Sequence, residues 1–106
     1  MARLASHVWV GAYLTRLNGE GIFAHVMHKG DPTAGAVVVK CANLAGVASL
    51  FTRNYRADGT LGWDGDLLDV PEGQVDDAIA RARRRDPDLW VVEVEDPRGR
   101  HMLFEV

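Results

Sequence analysis

The stretch His28-Lys29-Gly30-Asp31-Pro32-Thr33-Ala34-Gly35-Ala36-Val37-Val38-Val39-Lys40 constrains this chain more than any other, because a stiff polar turn runs straight into its most strand-like segment. Pro32 fixes its own φ and pushes Asp31 toward extended backbone, while Gly30 and Gly35 have access to φ > 0. A defined loop follows. Asp31 can accept hydrogen bonds from the backbone N–H groups just beyond it, and a loop with two glycines can also turn several N–H groups toward one point. Such a concavity favours an anion. His28 stands at its entry and Lys29 and Lys40 flank it, so His28, Lys29, Gly30, Asp31, Thr33, Gly35 and Lys40 form a candidate site for a phosphate- or carboxylate-bearing ligand, with Arg100 and His101 as further candidates. Turn chemistry alone accounts for the same residue types, as a hairpin loop whose Asp31 bonds its own backbone and whose lysines lie in water.

A chain of 106 residues accommodates one domain, 1–106, and buries roughly two-thirds of its unfolded surface. With 47% hydrophobic and 25% charged residues it has the composition of an ordinary globular protein. The net charge of −3 argues against general nucleic-acid binding, for which a basic domain is usual. Cys41 is the single cysteine, which excludes an intramolecular disulfide and a cysteine-based metal site within one chain. At the end of Val37-Val38-Val39 it reads as a small buried hydrophobe. The start, Met1 to Ser6, is not followed by the apolar core of a secretory signal, and no stretch approaches membrane-spanning length. The expected location is the cytoplasm, with no membrane contact.

Apolar spacing at Val10, Tyr13, Leu14 and Leu17 predicts a helix over Ser6 to Asn18, with Ser6 as N-cap and Gly19 at its end. Trp9 and Tyr13 lie one turn apart and form an aromatic strip suited to the core. Strands are predicted at Ile22 to His28 and Ala36 to Ala42, joined as a hairpin by the polar turn. Asn43 to Gly46 is a turn and Val47 to Tyr55 a third strand. Asp58-Gly59 turns into a short return strand at Leu61 to Asp64. Pro71 and Glu72 open a second helix with Val75, Ala78, Ile79 and Ala82 as its apolar stripe, stopped by Asp86-Pro87. Its acids lie near the start and its arginines near the end, as the helix dipole prefers. Leu89 to Glu95 is a strand, and His101 to Val106 closes a terminal hairpin after Asp96-Pro97-Arg98-Gly99. The expected fold class is α+β, a two-layer, mostly antiparallel sheet of five to six strands with two helices, in the order α-β-β-β-(β)-α-β-β.

Three motifs together, Gly30 to Ala36, Asp86 to Asp96 and Gly99-Arg100-His101, resemble the DUF1491 family of small bacterial proteins of unknown function. The resemblance extends from the first helix to the end of the chain. It implies an alphaproteobacterial, single-domain, cytosolic protein, and it carries no catalytic residues to transfer.

His7, His25, His28 and His101 with scattered acids show no recognised metal-ligand spacing, so no metal and no cofactor are expected. There is no nucleophile elbow, P-loop or GxGxxG. His28 with Asp31, or His101 with Asp96, has the composition of an acid/base pair and equally that of turn capping. The leading reading is a non-catalytic binding or protein-interaction module, with an unknown protein partner or a second copy of the chain paired at a strand edge and anchored by Trp9, Trp63 or Trp90. The alternative is an enzyme or sensor for a small anionic ligand at Lys29 to Gly35.

Overall fold

Val37 to Ala42 is buried at every position and not at alternate ones. A strand of this kind needs cover on both faces of its sheet. The computed structural model, which describes residues 4–105, shows that cover. The elements are α1 (Ser6–Gly19), β1 (Phe23–His28), β2 (Val37–Ala42), β3 (Val47–Tyr55), β4 (Leu61–Pro71), α2 (Glu72–Arg85), β5 (Trp90–Glu95) and a final 3-10 turn, Leu103–Glu105. They build a five-stranded mixed sheet in the order β1-β5-β2-β3-β4.

The α+β class, the two helices and the mainly antiparallel pairing are as expected, but the layering is not. Val10, Tyr13 and Leu17 of α1 pack on Val37, Val39, Phe51, Val92 and Val94. Val75 and Ile79 of α2 pack on Val38, Ala42, Leu50 and Val91, the opposite face. The sheet therefore has one helix on each side, three layers in place of two.

The β1–β2 hairpin is also replaced. β5 lies between those strands, antiparallel to β1 and parallel to β2. The turn from Lys29 to Ala36 crosses over the beginning of β5 instead of joining two neighbours. Because both edges of β5 are taken, no place beside it remains for a sixth strand. The terminal hairpin is accordingly absent: Gly99 turns the chain at φ 69°, Met102 takes φ 57°, and Leu103 is buried in the α1-side core. Val106, the last residue assigned to that hairpin, lies outside the described residues, as do Met1 to Arg3.

The return strand is longer than the expected Leu61 to Asp64. Gly62, Gly65, Asp64, Asp66 and Asp69 are weak strand formers. Cross-strand pairs nevertheless bind β4 to β3: Thr52 Oγ1 donates to Asp66, Asn54 Nδ2 to Asp64 at 2.8 Å, and Arg56 Nη1 to Asp64 at 2.7 Å. The ladder shifts register twice, between Ala48 and Leu50 and between Leu50 and Phe51, so β4 carries bulges opposite them.

Two glycines separate packing from propensity. Gly11 lies inside α1 with nothing within 4 Å of an added Cβ, whereas a Cβ on Gly30 would meet the Asp88 carbonyl at 2.1 Å. Gly11→Ala is expected to stabilise the fold by about 0.5–1 kcal/mol through helix propensity. Gly30→Ala is expected to destabilise it by about 2 kcal/mol or more through overpacking. Urea denaturation of both variants checks the pair.

Candidate functional site

The predicted anion turn is a clasp. Asp31 accepts from the N–H groups of Thr33 at 3.2 Å and Ala34 at 2.8 Å, as the turn reading anticipates. Its carbonyl accepts from Trp90 Nε1 at 2.7 Å, and its N–H donates to the Asp88 carbonyl at 3.0 Å. The Pro32 and Thr33 carbonyls accept from the first N–H groups of α1, and Ser6 Oγ donates to Gly35 O at 2.6 Å. Ser6 is thus the first helical residue, with Ala5 at the N-cap position. Gly30 and Gly35 are not among the positive-φ residues; both sit against Asp88 O and Trp90 Cδ1, where any side chain would collide. The N–H groups of Asp31, Thr33, Ala34 and Gly35 are taken by the Asp88 carbonyl and by the carboxylate and carbonyl of Asp31, so they do not form an open concavity.

The side chains that were to complete an anion site diverge. Lys29 is exposed and His28 rests with Nε2 3.4 Å from the Pro87 carbonyl. Arg100 is engaged by Asp96 through two nitrogens, each at 3.0 Å. That pairing, followed by burial acting the other way, holds the Asp96 carboxyl below the usual carboxylate range. Lys40 points to the α2 face, 3% exposed, with Nζ 2.7 Å from Glu72, 2.7 Å from Asp76 and 3.1 Å from Glu93. Burial opposes its charge, but the hydrogen bonds to Asp76, Glu72 and Glu93 outweigh that and raise its pKa. Its charge is spent on carboxylates of the fold.

His101 belongs to a different place. A cavity of about 330 Å³ opens where the bulges of β4 lift away from β3. Its walls are Cys41, Phe51, Leu68 and Phe104, with Ser49, Asp69 and His101 as polar groups. Ser49 Oγ takes the Asp69 N–H at 2.9 Å, a bond that a ladder carbonyl would otherwise receive. The His101 ring packs 4.4 Å from Phe51, and its Nδ1 accepts from Leu103 N–H at 3.1 Å, so the neutral ring carries its proton on Nε2. Tyr13 Oη anchors the same segment by donating to the His101 carbonyl at 2.7 Å.

Strain gathers around this cavity. Among the described residues three non-glycines have positive φ: Leu44 at 66°, Asp69 at 51° and Met102 at 57°. Asp69 lines the cavity, and Leu44 and Met102 adjoin the lining residues Asn43 and His101. Such backbone costs on the order of 1 kcal/mol per residue and collects at functional sites. Of the lining residues, Leu68 and Phe104 also remain exposed, by 59% and 68%. Only His101 among them was legible as a candidate in the sequence, because the others come from β2, β3, β4, turns and the 3-10 segment, whose juxtaposition no local signal encodes.

Cys41 is buried, as expected, and its thiol is pushed up to about 11 by burial, then by the negative charges of Asp96 and Asp69. At neutral pH it is a protonated thiol and a poor nucleophile.

The fold and cavity define a small α+β protein, a five-stranded mixed sheet between two helices with a lined pocket at one end of β3 and β4. The chain belongs to the family described as protein of unknown function, DUF1491, whose sequence model matches residues 4–104. It is similar to the crystal structure of a DUF1491 family protein from Caulobacter crescentus CB15, with 43% identity, a TM-score of 0.89 and 95% of each chain covered. An NMR structure of a DUF1491 family protein from the same organism has 42% identity and a TM-score of 0.85, covering 97% of this chain and 94% of that one. The solution structure of protein Atu0922 from A. tumefaciens has 30% identity and a TM-score of 0.78, covering 89% and 86%. No curated protein matches the chain. Among the described residues no helix is long and apolar enough to cross a membrane.

Two outcomes test these environments. The folded Cys41 thiol keeps its proton to higher pH than an unfolded thiol, so its contribution to stability is fully present below about pH 8.5 and is lost as pH rises toward about 11. Iodoacetamide labelling at pH 8 is expected to run at least ~100-fold slower than in the urea-unfolded chain, read by mass spectrometry. Lys40→Met leaves three carboxylates without their buried cation and is expected to cost about 3 kcal/mol in urea denaturation.

Proposed function

We propose that this protein is a non-catalytic binding module whose pocket takes a small, mostly apolar molecule carrying a hydroxyl or amine. The observation that carries this reading is the convergence of strained backbone, exposed apolar side chains and a few polar groups on one cavity of about 330 Å³. That volume is at the lower end for small-molecule sites, which combine apolar walls with a few oriented polar groups. Phe51, Leu68 and Phe104 supply the walls. Asp69 at the rim accepts the ligand's donor. The protonated Cys41 thiol supports a binding role over nucleophilic chemistry.

The test is an amide-shift titration of the ¹⁵N-labelled chain with aromatic fragments bearing an amine or hydroxyl. Binding is expected to move the amides of Ser49, Asp69 and His101 together. Leu68→Asp, at a position 59% exposed, is expected to keep the melting temperature and weaken the hits at least ~5-fold by removing apolar wall. Hits that cluster elsewhere, or that ignore Leu68→Asp, would overturn the reading.

A further inference from the structure

The face of the sheet opposite the pocket carries a polar row set by register. His25 of β1 is the direct partner of Glu93 on β5, and Glu93 is in turn the partner of Lys40 on β2. Glu95 follows Glu93 by two residues and so shares its face. The apolar stripe of α2, Val75 and Ile79, covers Val38, Leu50 and Val91 and leaves this end of the face to polar groups.

The geometry points to a divalent metal site formed by His25, Glu93 and Glu95, for a first-row transition ion such as Zn²⁺. One ligand atom from each lies within 4.8 Å of the other two. His25 Nε2 is 3.3 Å from Glu93 Oε1, and its Nδ1 is 3.8 Å from Glu95 Oε1. Only one ring nitrogen can bind the ion, and donors about 2.0–2.1 Å from a tetrahedral ion stand about 3.3 Å apart, so rotation of the His25 ring and of the glutamate carboxylates draws the set in from separations of up to 4.8 Å. An imidazole with two carboxylates suits a borderline cation better than Mg²⁺ or Ca²⁺.

A second observation, independent of the acids, is His25 Nδ1. It is buried and has no hydrogen-bond partner among the described residues, although a buried ring nitrogen ordinarily has one. A cation between it and Glu95 would supply that partner. Lys40 completes the arrangement by holding Glu93 Oε2 at 3.1 Å, which leaves Oε1 directed at His25, as hydrogen bonds to ligating carboxylates do in metal centres. Lys40 Nζ meets three carboxylates, Glu72, Asp76 and Glu93, with Glu95 beside His25, and the residual negative charge favours a dication. The His25 side chain is 42% exposed, so water or a substrate group has access to a remaining coordination position.

The test is calorimetric titration of chelator-treated protein with Zn²⁺ and Mg²⁺, using the intact chain and the variants His25→Ala, Glu95→Gln and His28→Ala. One saturable Zn²⁺ per chain is expected, weakened at least ~10-fold by His25→Ala and by Glu95→Gln and unchanged by His28→Ala. Melting curves in EDTA establish that each variant folds. Should one of them not fold, the His25 ring signals of the wild-type chain decide, since Zn²⁺ must shift them before those of His28. No saturable Zn²⁺ binding up to 1 mM, a loss below tenfold in a folded variant, or Mg²⁺ binding as tightly as Zn²⁺ overturns the assignment.

Discussion

The rest of the structure depends on β5 being paired along both edges, antiparallel to β1 and parallel to β2. Both of its neighbours bring their own connections with them. The loop after β1 has to pass over the start of β5, which is why Gly30 and Gly35 lie against Asp88 and Trp90 and why the loop's carbonyls cap α1. The chain after β5 finds no free edge and turns back as a short 3-10 segment that buries Leu103. A sheet with a parallel pair at its centre also needs cover on both faces, and α1 and α2 provide it.

The two faces then acquire different chemistry. On the α1 side Trp9 stacks on Tyr13 at 4.9 Å between centroids and tilts against Trp63 at 5.3 Å, which extends the apolar cover toward β4. Where the cover ends, the bulges of β4 open the pocket and strained residues gather around it. On the other side α2 packs chiefly on β3 and β4, so the β1 end of that face is open to polar side chains. Lys40 marks the border. One end of its charge network faces the helix, and the other tethers Glu93 beside His25.

Local signals read correctly where they act within a few residues. The span of α2 follows from its apolar stripe and the Asp86-Pro87 stop, and β3 follows from alternation that both faces use, with Phe51 in one core and Leu50 in the other. The Asn43 turn is legible for the same reason, since its side chain accepts from Ala45 and Val47 nearby. Legibility failed where a partner far along the chain decides. The Val37-Val38-Val39 run signals a strand buried on both faces, and that signal was available for the three-layer arrangement. Lys40, by contrast, looks like a turn-flanking cation until α2 is laid over it. His25, Glu93 and Glu95 look unrelated until β1 and β5 are placed in register.

The sequence by itself determined the α+β class, the helix spans, the Asx turn at Asp31 and the burial of Cys41, because each rests on local backbone preference or on the hydrophobicity of a short segment. Only the tertiary structure decided the strand order, the closing of the Asp31 turn onto Trp90, the pocket opened by the β4 bulges and the row from His25 to Lys40. These depend on which strands share hydrogen bonds, a choice made by burying both faces of β2 and both edges of β5 at once, and no local preference encodes it.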